Sequence, residues 1–333
     1  MSYILVLKAL QNKFLFLFLI FLFTSIDGSA QDPMFSQFMF RQLYHNPAYA
    51  GTSSNPRLMG GYRNQWPGMN NAFSTYYMTY DQQISAIKSG IGVSILKDVM
   101  GNSTFGVTGF DLNYNYQTIA SRSINISLGL SSGFYQKSLN GTNVVLPDQS
   151  PFGNSFSQEN ITNESIWYPD FGFGAYMLIN KRHSISAALH HLNRPDISLT
   201  NSGVRLPIRF GVQYSTEFHS YVGKFNEKTM IIIPGIIYQQ QDRYNYMSAG
   251  ANIDYQPFIC GLWLRSDNKF SVESFTILLG YYLSNFKFVY SFDARLINFS
   301  KNVINNGAHE VTFQIYFKYK DRKKMKQVKC PKF

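Results

Sequence analysis

In three stretches of the chain, apolar and polar residues alternate with a period of two. In 286–294, Phe286, Phe288, Tyr290 and Phe292 form one face, and Lys287, Ser291 and Asp293 the other. In 124–134, Ile124, Ile126, Leu128 and Leu130 alternate with Asn125, Ser127, Gly129 and Ser131. In 311–319, Val311, Phe313, Ile315, Phe317 and Tyr319 stand against Thr312, Gln314 and Lys318. A helix places residues i and i+2 on opposite sides, whereas a strand places them on one face, so this pattern predicts strands. Read the same way, the whole chain yields fourteen candidate segments: 57–65, 73–81, 91–97, 105–119, 124–135, 170–179, 184–192, 208–217, 230–239, 244–255, 258–265, 275–283, 286–294 and 311–319.

Segments about ten residues long, alternating in polarity and separated by turns, are the signature of a transmembrane β-barrel. The predicted class is therefore all-β: an antiparallel membrane barrel of about 14 strands over 57–319, preceded by a segment, 31–56, that is either periplasmic or a plug. The connections test this. The long gaps at 136–169, 193–207 and 295–310 all follow odd-numbered strands, and the tight links at 120–123, 180–183, 256–257 and 284–285 follow even-numbered ones. Bacterial barrels have long outer loops and short periplasmic turns, and a sandwich would show no such parity. Two gaps break the pattern: 218–229 is long for an inner turn, and 240–243 is short for an outer loop. The alternation also predicts a polar lumen and an apolar outer belt.

Composition agrees with a barrel. Aromatic residues make up 17% of the chain, with 29 Phe and 23 Tyr, and charged residues only 15%, against about a quarter in an ordinary soluble domain. A barrel needs outward aromatic and aliphatic residues to meet lipid. The net charge of +11 is unevenly placed, since the last sixteen residues hold eight Lys or Arg against the single Asp321. This basic tail, 320–333, suggests lipid phosphates or an acidic periplasmic partner, and an exported protein meets no nucleic acid there.

The first thirty residues set the compartment. Lys8 and Lys13 precede the apolar run 14–23, and Gly28, Ser29 and Ala30 offer small residues for a signal peptidase. The run is shorter than the roughly 20 residues needed to span a bilayer. A cleaved signal peptide at 1–30 and an outer-membrane location are the expectation. Two cysteines make no disulfide framework: Cys260 lies in an apolar stretch expected to face lipid, and Cys330 lies in the tail.

The opening of the mature chain carries a more specific pattern. Gln31-Asp32-Pro33-Met34-Phe35-Ser36-Gln37-Phe38-Met39 leads to Asn46-Pro47-Ala48-Tyr49-Ala50-Gly51 and then to Tyr62-Arg63-Asn64-Gln65-Trp66. Later come Pro169-Asp170-Phe171-Gly172, His190-His191-Leu192 with Pro195, Tyr290-Ser291-Phe292-Asp293, and Gly307-Ala308-His309-Glu310-Val311. In this order the motifs resemble the PorP/SprF family of type IX secretion system membrane proteins; the lysine-rich tail is the departure. The resemblance implies an outer-membrane component that receives or anchors a secreted adhesin through that adhesin's C-terminal domain, as in gliding, and that contacts periplasmic parts of the machine.

The residues themselves suggest no enzyme. No nucleophile-and-base motif occurs, His309-Glu310 reads better as a cap to the last strand than as an acid/base pair, and no cofactor or metal site is indicated. Gly172 and Gly174 lie within a strand pattern and form no phosphate loop; they let large lumen side chains pack. The candidate partner-binding residues are Asn46, Pro47 and Tyr49 in a Pro-fixed turn, Arg63 and Trp66 at the end of the first strand, Asp111 and Asn113 toward the lumen, and Asp293, His309 and Glu310 near the last strands. The 46–49 turn reads as part of a plug and as a docking surface for the machine, and the two are not exclusive. The partners expected are an adhesin domain, periplasmic secretion components and membrane lipid. A porin-like channel is the main alternative, and an outer-membrane lipase or protease a distant one.

Overall fold

In the computed structural model, the described residues are 32–69, 73–101, 103–140, 164–199, 202–222, 228–268, 270–296 and 307–318. The expected signal peptide at 1–30, most of the long connection at 136–169, the tail from 320 and Cys330 lie outside them.

The strands are β1 (Arg57–Gln65), β2 (Phe73–Ile84), β3 (Ser89–Met100), β4 (Phe105–Ile119), β5 (Ile124–Leu139), β6 (Ser165–Ile179) and β7 (His183–His190). Then follow β8 (Arg209–Thr216, resuming as Phe218–Val222), β9 (Lys228–Gln241), β10 (Tyr244–Tyr255), β11 (Phe258–Ser266), β12 (Val272–Leu283), β13 (Phe286–Arg295) and β14 (Ala308–Tyr316). The two parts of β8 pair with β9 in one continuous register, Tyr214 opposite Ile236 and His219 opposite Ile231. They are one strand interrupted at Glu217, so the sheet has 14 strands. Each strand pairs antiparallel with the next, and β14 pairs with β1, Tyr316 opposite Arg57 through Ala308 opposite Gln65. The sheet is a closed barrel, which leaves no unpaired edge for lipid to meet.

The strand count matches the sequence pattern, with shifted boundaries. The eighth strand runs on to Val222, which shortens the next turn to 223–227 and removes one of the two irregular gaps. The alternation there is hidden because Glu217 breaks the ladder. The last strand is Ala308–Tyr316 and not 311–319, so Lys318 is an exposed residue beyond it. The other irregular gap is real: Asp242 and Arg243 alone join β9 to β10. One barrel end therefore carries all the long connections, and the other only short turns.

Burial follows the pleat. Leu128, Leu130 and Phe134 of β5 and Phe288 and Phe313 near the closure are exposed on the outer face, as is Cys260, a free thiol. Lys287, Ser291 and Asp293 point inward and are buried. The lumen departs from expectation in one respect: toward β9–β13 it is apolar, with Ile233, Ile237, Ile259, Trp263, Leu278 and Val289 all buried. They can face inward because they are covered by Phe38, Met39 and Phe40 of the N-terminal segment. Such a lining would be unfavourable against water.

Leu130 sits near the middle of β5 on the lipid face. Leu130→Arg should cost about 2–4 kcal/mol of barrel stability, read by urea unfolding from lipid vesicles. An unchanged unfolding midpoint would contradict the assigned faces.

Candidate functional site

The N-terminal segment fills the barrel. Phe35, Ala48, Tyr49 and Ala50 have no exposed surface, and the stretch between them is buried almost throughout. Its partners are inward-facing side chains on strands around the circumference. Asp32 lies at the long-connection end, against Arg209, His191 and Gln241. Ala50 and Gly51 lie near the short-turn end, where Asn115 donates to the Ala50 carbonyl at 2.9 Å and Gln117 to that of Gly51 at 3.0 Å. The segment thus threads the lumen from one end to the other before the chain turns into β1. The N-terminal segment lies in the lumen as a plug, and its 46–49 turn is buried there.

Three polar clusters hold it. In the first, Arg63 of β1 donates to Glu310 at 3.0 Å, to Asp293 at 3.0 Å and to Ser36 Oγ at 2.8 Å. Arg41 of the plug donates to the other Glu310 oxygen at 2.8 Å, and the Ser36 amide to Glu310 at 2.8 Å. Ser36 Oγ also hydrogen-bonds to Asp293, whose other oxygen accepts from Thr276 at 2.7 Å. Gln37 donates to the Glu310 carbonyl at 2.8 Å and to Ser291 at 3.1 Å. Two carboxylates buried together are tolerable only because guanidinium groups from the wall and from the plug neutralise them.

In the second cluster, at the long-connection end, Asp32 pairs with Arg209 at 2.9 Å and with His191 Nε2 at 2.8 Å. His191 Nδ1 lies 3.0 Å from Asp170. Burial opposes the His191 imidazolium, but the flanking Asp32 and Asp170 carboxylates outweigh it and push its pKa up to about 9. Burial likewise opposes ionisation of Asp32, yet His191 and Arg209 hold its carboxyl well below the usual carboxylate range.

The third cluster holds the other end. Asp81 accepts from Arg57 at 2.9 Å and from the Gly51 amide at 3.1 Å. Between them, helix α1 (Gln42–His45) runs into a single 3-10 turn, Pro47–Tyr49. Asn46 caps this turn by accepting from the Ala48 amide at 2.8 Å, and it donates to the Ala175 and Ala187 carbonyls at 2.9 and 3.0 Å. The plug backbone lies so close to the wall here that a Cβ on Gly129 would come 2.2 Å from the Ala48 nitrogen, and one on Gly174 1.9 Å from Asn46 Oδ1. Only glycine fits at either position.

The residues singled out from sequence are therefore partly reunited. Asn46, Pro47, Tyr49, Arg63, Asp293 and Glu310 all lie at the plug–barrel interface. Asp111 and Asn113 face the lumen in a separate group with Ser94 and Tyr135. Trp66 follows β1 with φ of 58° and packs edge-on to Phe73, with Arg295 over its ring. His309 is not a cap to the strand. It is the second residue of β14 and lies on the outer face, hydrogen-bonded to Tyr290 at 2.8 Å, with Glu310 inward behind it. Neighbours on a strand face opposite ways, so the two form no pair. Sequence reading does not place Asp32, Ser36, Gln37, Arg41, Asp170, His191 or Arg209 in one site, although most of them stand in the motifs quoted above.

Two outcomes follow from this geometry. Arg63→Met leaves two buried carboxylates short of a partner and should destabilise the barrel by about 3–5 kcal/mol, measured by urea unfolding; a change under about 1 kcal/mol would contradict the network. The His191 contribution has a raised pKa, so it is complete below the unfolded value of about 6.5 and is lost as pH rises through about 9. Hydrogen exchange at 32–36, corrected for intrinsic rate, should lose protection across that window, and His191→Gln should flatten the response. Identical pH profiles in both proteins would remove the imidazolium from the account.

A family model described as type IX secretion system membrane protein PorP/SprF matches residues 27–315. No match emerges among the curated proteins. Among solved structures, the chain is similar to the Acinetobacter baumannii outer membrane protein Omp33, at 8% identity over 80% of this chain and 100% of that one, TM-score 0.45. It is also similar to the CymD monoaromatic hydrocarbon channel, at 11% identity over 88% and 95% of the two chains, TM-score 0.46. A variant of the Rh. blastica porin matches at 10% identity over 79% and 99%, TM-score 0.34.

Proposed function

The chain belongs to the PorP/SprF family of type IX secretion system membrane proteins, and from that premise we propose that this outer-membrane barrel receives and holds a secreted surface adhesin, by the adhesin's C-terminal domain, without passing it through its own lumen. One observation carries the second half of that reading: the lumen is occupied along its length by residues 32–51 of the same chain. A conduit needs an open path, and a water-filled pore needs a polar lining. Here the inward Ile233, Ile237, Trp263 and Leu278 are sealed by Phe38, Met39 and Phe40.

On this reading the adhesin is engaged at the end bearing the long connections, and the periplasmic parts of the secretion machine meet the end bearing the short turns and the basic tail. Export through a signal peptide removed after Ala30 and a role in gliding belong to the same proposal. The filled lumen speaks against a porin-like channel, and the described residues suggest no catalytic constellation in its place.

The test combines two readouts. In planar bilayers the intact mature chain should give no steady conductance. In the producing cell, cross-linking at the outer surface should recover an adhesin C-terminal domain with the barrel. Steady conductance from the intact chain would favour the channel, and recovery of no secreted passenger would remove the anchoring role.

A further inference from the structure

The two rims of the barrel differ in charge. At the long-connection rim, exposed charges of both signs are mixed: Arg194, Arg205, Arg243 and Arg295 with Glu164, Asp196 and Asp242. At the short-turn rim the exposed charges among the described residues are all positive. Lys88 stands in the β2–β3 turn, Arg122 in β4–β5, Lys181 and Arg182 in β6–β7, and Lys318 just past β14. The acidic residues described near this end are buried and occupied: Asp81 with Arg57, Glu217 with His219 at 3.1 Å, and Asp254 with Tyr282 at 2.9 Å. No ion pair is formed by Lys88, Arg122, Lys181 or Arg182 among the described residues.

The position of these cations along the strands is specific. Lys88 follows Ile87, Arg122 follows Ile119, Lys181 follows Ile179 and Lys318 follows Phe317, and each of those apolar residues is on the outer face. These residues sit in the turns and just past the last strand, beyond the strand ends, where the polar headgroup zone begins. Long basic side chains reach naturally to that level with their stems along apolar surface.

We propose that the short-turn rim from β2 to β7 is a binding collar for anionic phospholipid headgroups in the leaflet at that end of the barrel. The collar presents four cations on three successive turns, with no competing exposed carboxylate among the described residues. Each basic group near an anionic surface strengthens binding about fivefold. The headgroups would fix the depth and tilt of the barrel independently of what its other end holds.

The experiment uses the full mature chain in detergent, equilibrated with equal amounts of dioleoylphosphatidylglycerol and dioleoylphosphatidylcholine, with retained lipid read by native mass spectrometry. The wild type should retain phosphatidylglycerol preferentially. The four-site variant Lys88→Gln, Arg122→Gln, Lys181→Gln and Arg182→Gln should lose at least about tenfold of that preference. A control at the other rim, Arg194→Gln, Arg205→Gln and Arg243→Gln, should keep it. All seven positions are exposed and make no ion pair among the described residues, so heat-modifiable electrophoretic mobility should confirm both variants as folded. An undiminished preference in the four-site variant would overturn the collar, as would an equal loss in the control. Capture of a soluble polyglutamate peptide with no preference between the two lipids would overturn it in favour of an acidic protein partner.

Discussion

Four buried charges set the terms for the rest of the molecule: Arg63, Asp293 and Glu310 on the barrel wall and Arg41 on the plug. The wall alone places two carboxylates close together in a low-dielectric lumen with Arg63 and the more distant Arg265, which stands 3.9 Å from Asp293. Removing one partner from such a network is far more damaging than replacing the whole of it. The arrangement therefore ties barrel closure to plug insertion. β1, β13 and β14 supply the wall charges at the seam where the sheet closes, and Arg41, Ser36 and Gln37 complete their hydrogen bonds from inside. The seam and the plug depend on each other.

The same logic extends along the lumen. The apolar inward face of β9–β13 needs Phe38, Met39 and Phe40, and those three need that face. The tight approach at Gly129 and Gly174 fixes where the Asn46–Tyr49 turn lies, and Asp81 with Arg57 anchors the return into β1. Asp32 is held by Arg209 and His191 at the opposite end. Interactions distributed over the whole length define a single path for the segment. A lumen filled in this way leaves the rims and the outer surface as the places where a partner can act. The two rims offer different chemistry, one mixed in charge with long connections and one cationic with short turns.

Much of the fold is legible in the sequence because the barrel obeys a local rule. Outward Leu130 and Phe288 and inward Ser127 and Lys287 alternate in a way that any two-residue period reveals, and loop-length parity then orders the strands. The eighth strand reads short because Glu217 interrupts the ladder and hides its continuation into Phe218–Val222. The plug is not legible from periodicity. Residues 32–56 contain only one helical turn and one 3-10 turn, and their burial depends on contacts across more than two hundred residues, such as Ser36 with Glu310. Arg63, Asp293 and Glu310 can be picked out singly as charges beside apolar strand positions; that they meet around Ser36 and Arg41 is a property of the closed sheet. The apolar lumen lining escapes sequence reading for a related reason, since inward and outward apolar residues cannot be told apart until a cover is known. The motifs that carry the family resemblance do converge. Asp32 meets His191, which meets Asp170, and Ser36 and Gln37 meet Asp293, Ser291 and Glu310.

The central claim is that the N-terminal segment occupies the lumen of the assembled barrel. It is tested most directly by a paired substitution, Gln37→Cys with Ser291→Cys, in a background carrying Cys260→Ser and Cys330→Ser, probed in isolated outer membranes with a short thiol-to-thiol cross-linker. Gln37 Nε2 and Ser291 Oγ are 3.1 Å apart, so the account predicts near-complete intramolecular cross-linking of folded barrels, with neither single substitution reacting this way. Folded barrels in which the thiol introduced at position 37 stays freely reactive toward a soluble maleimide, and no cross-link to position 291 forms, would contradict it.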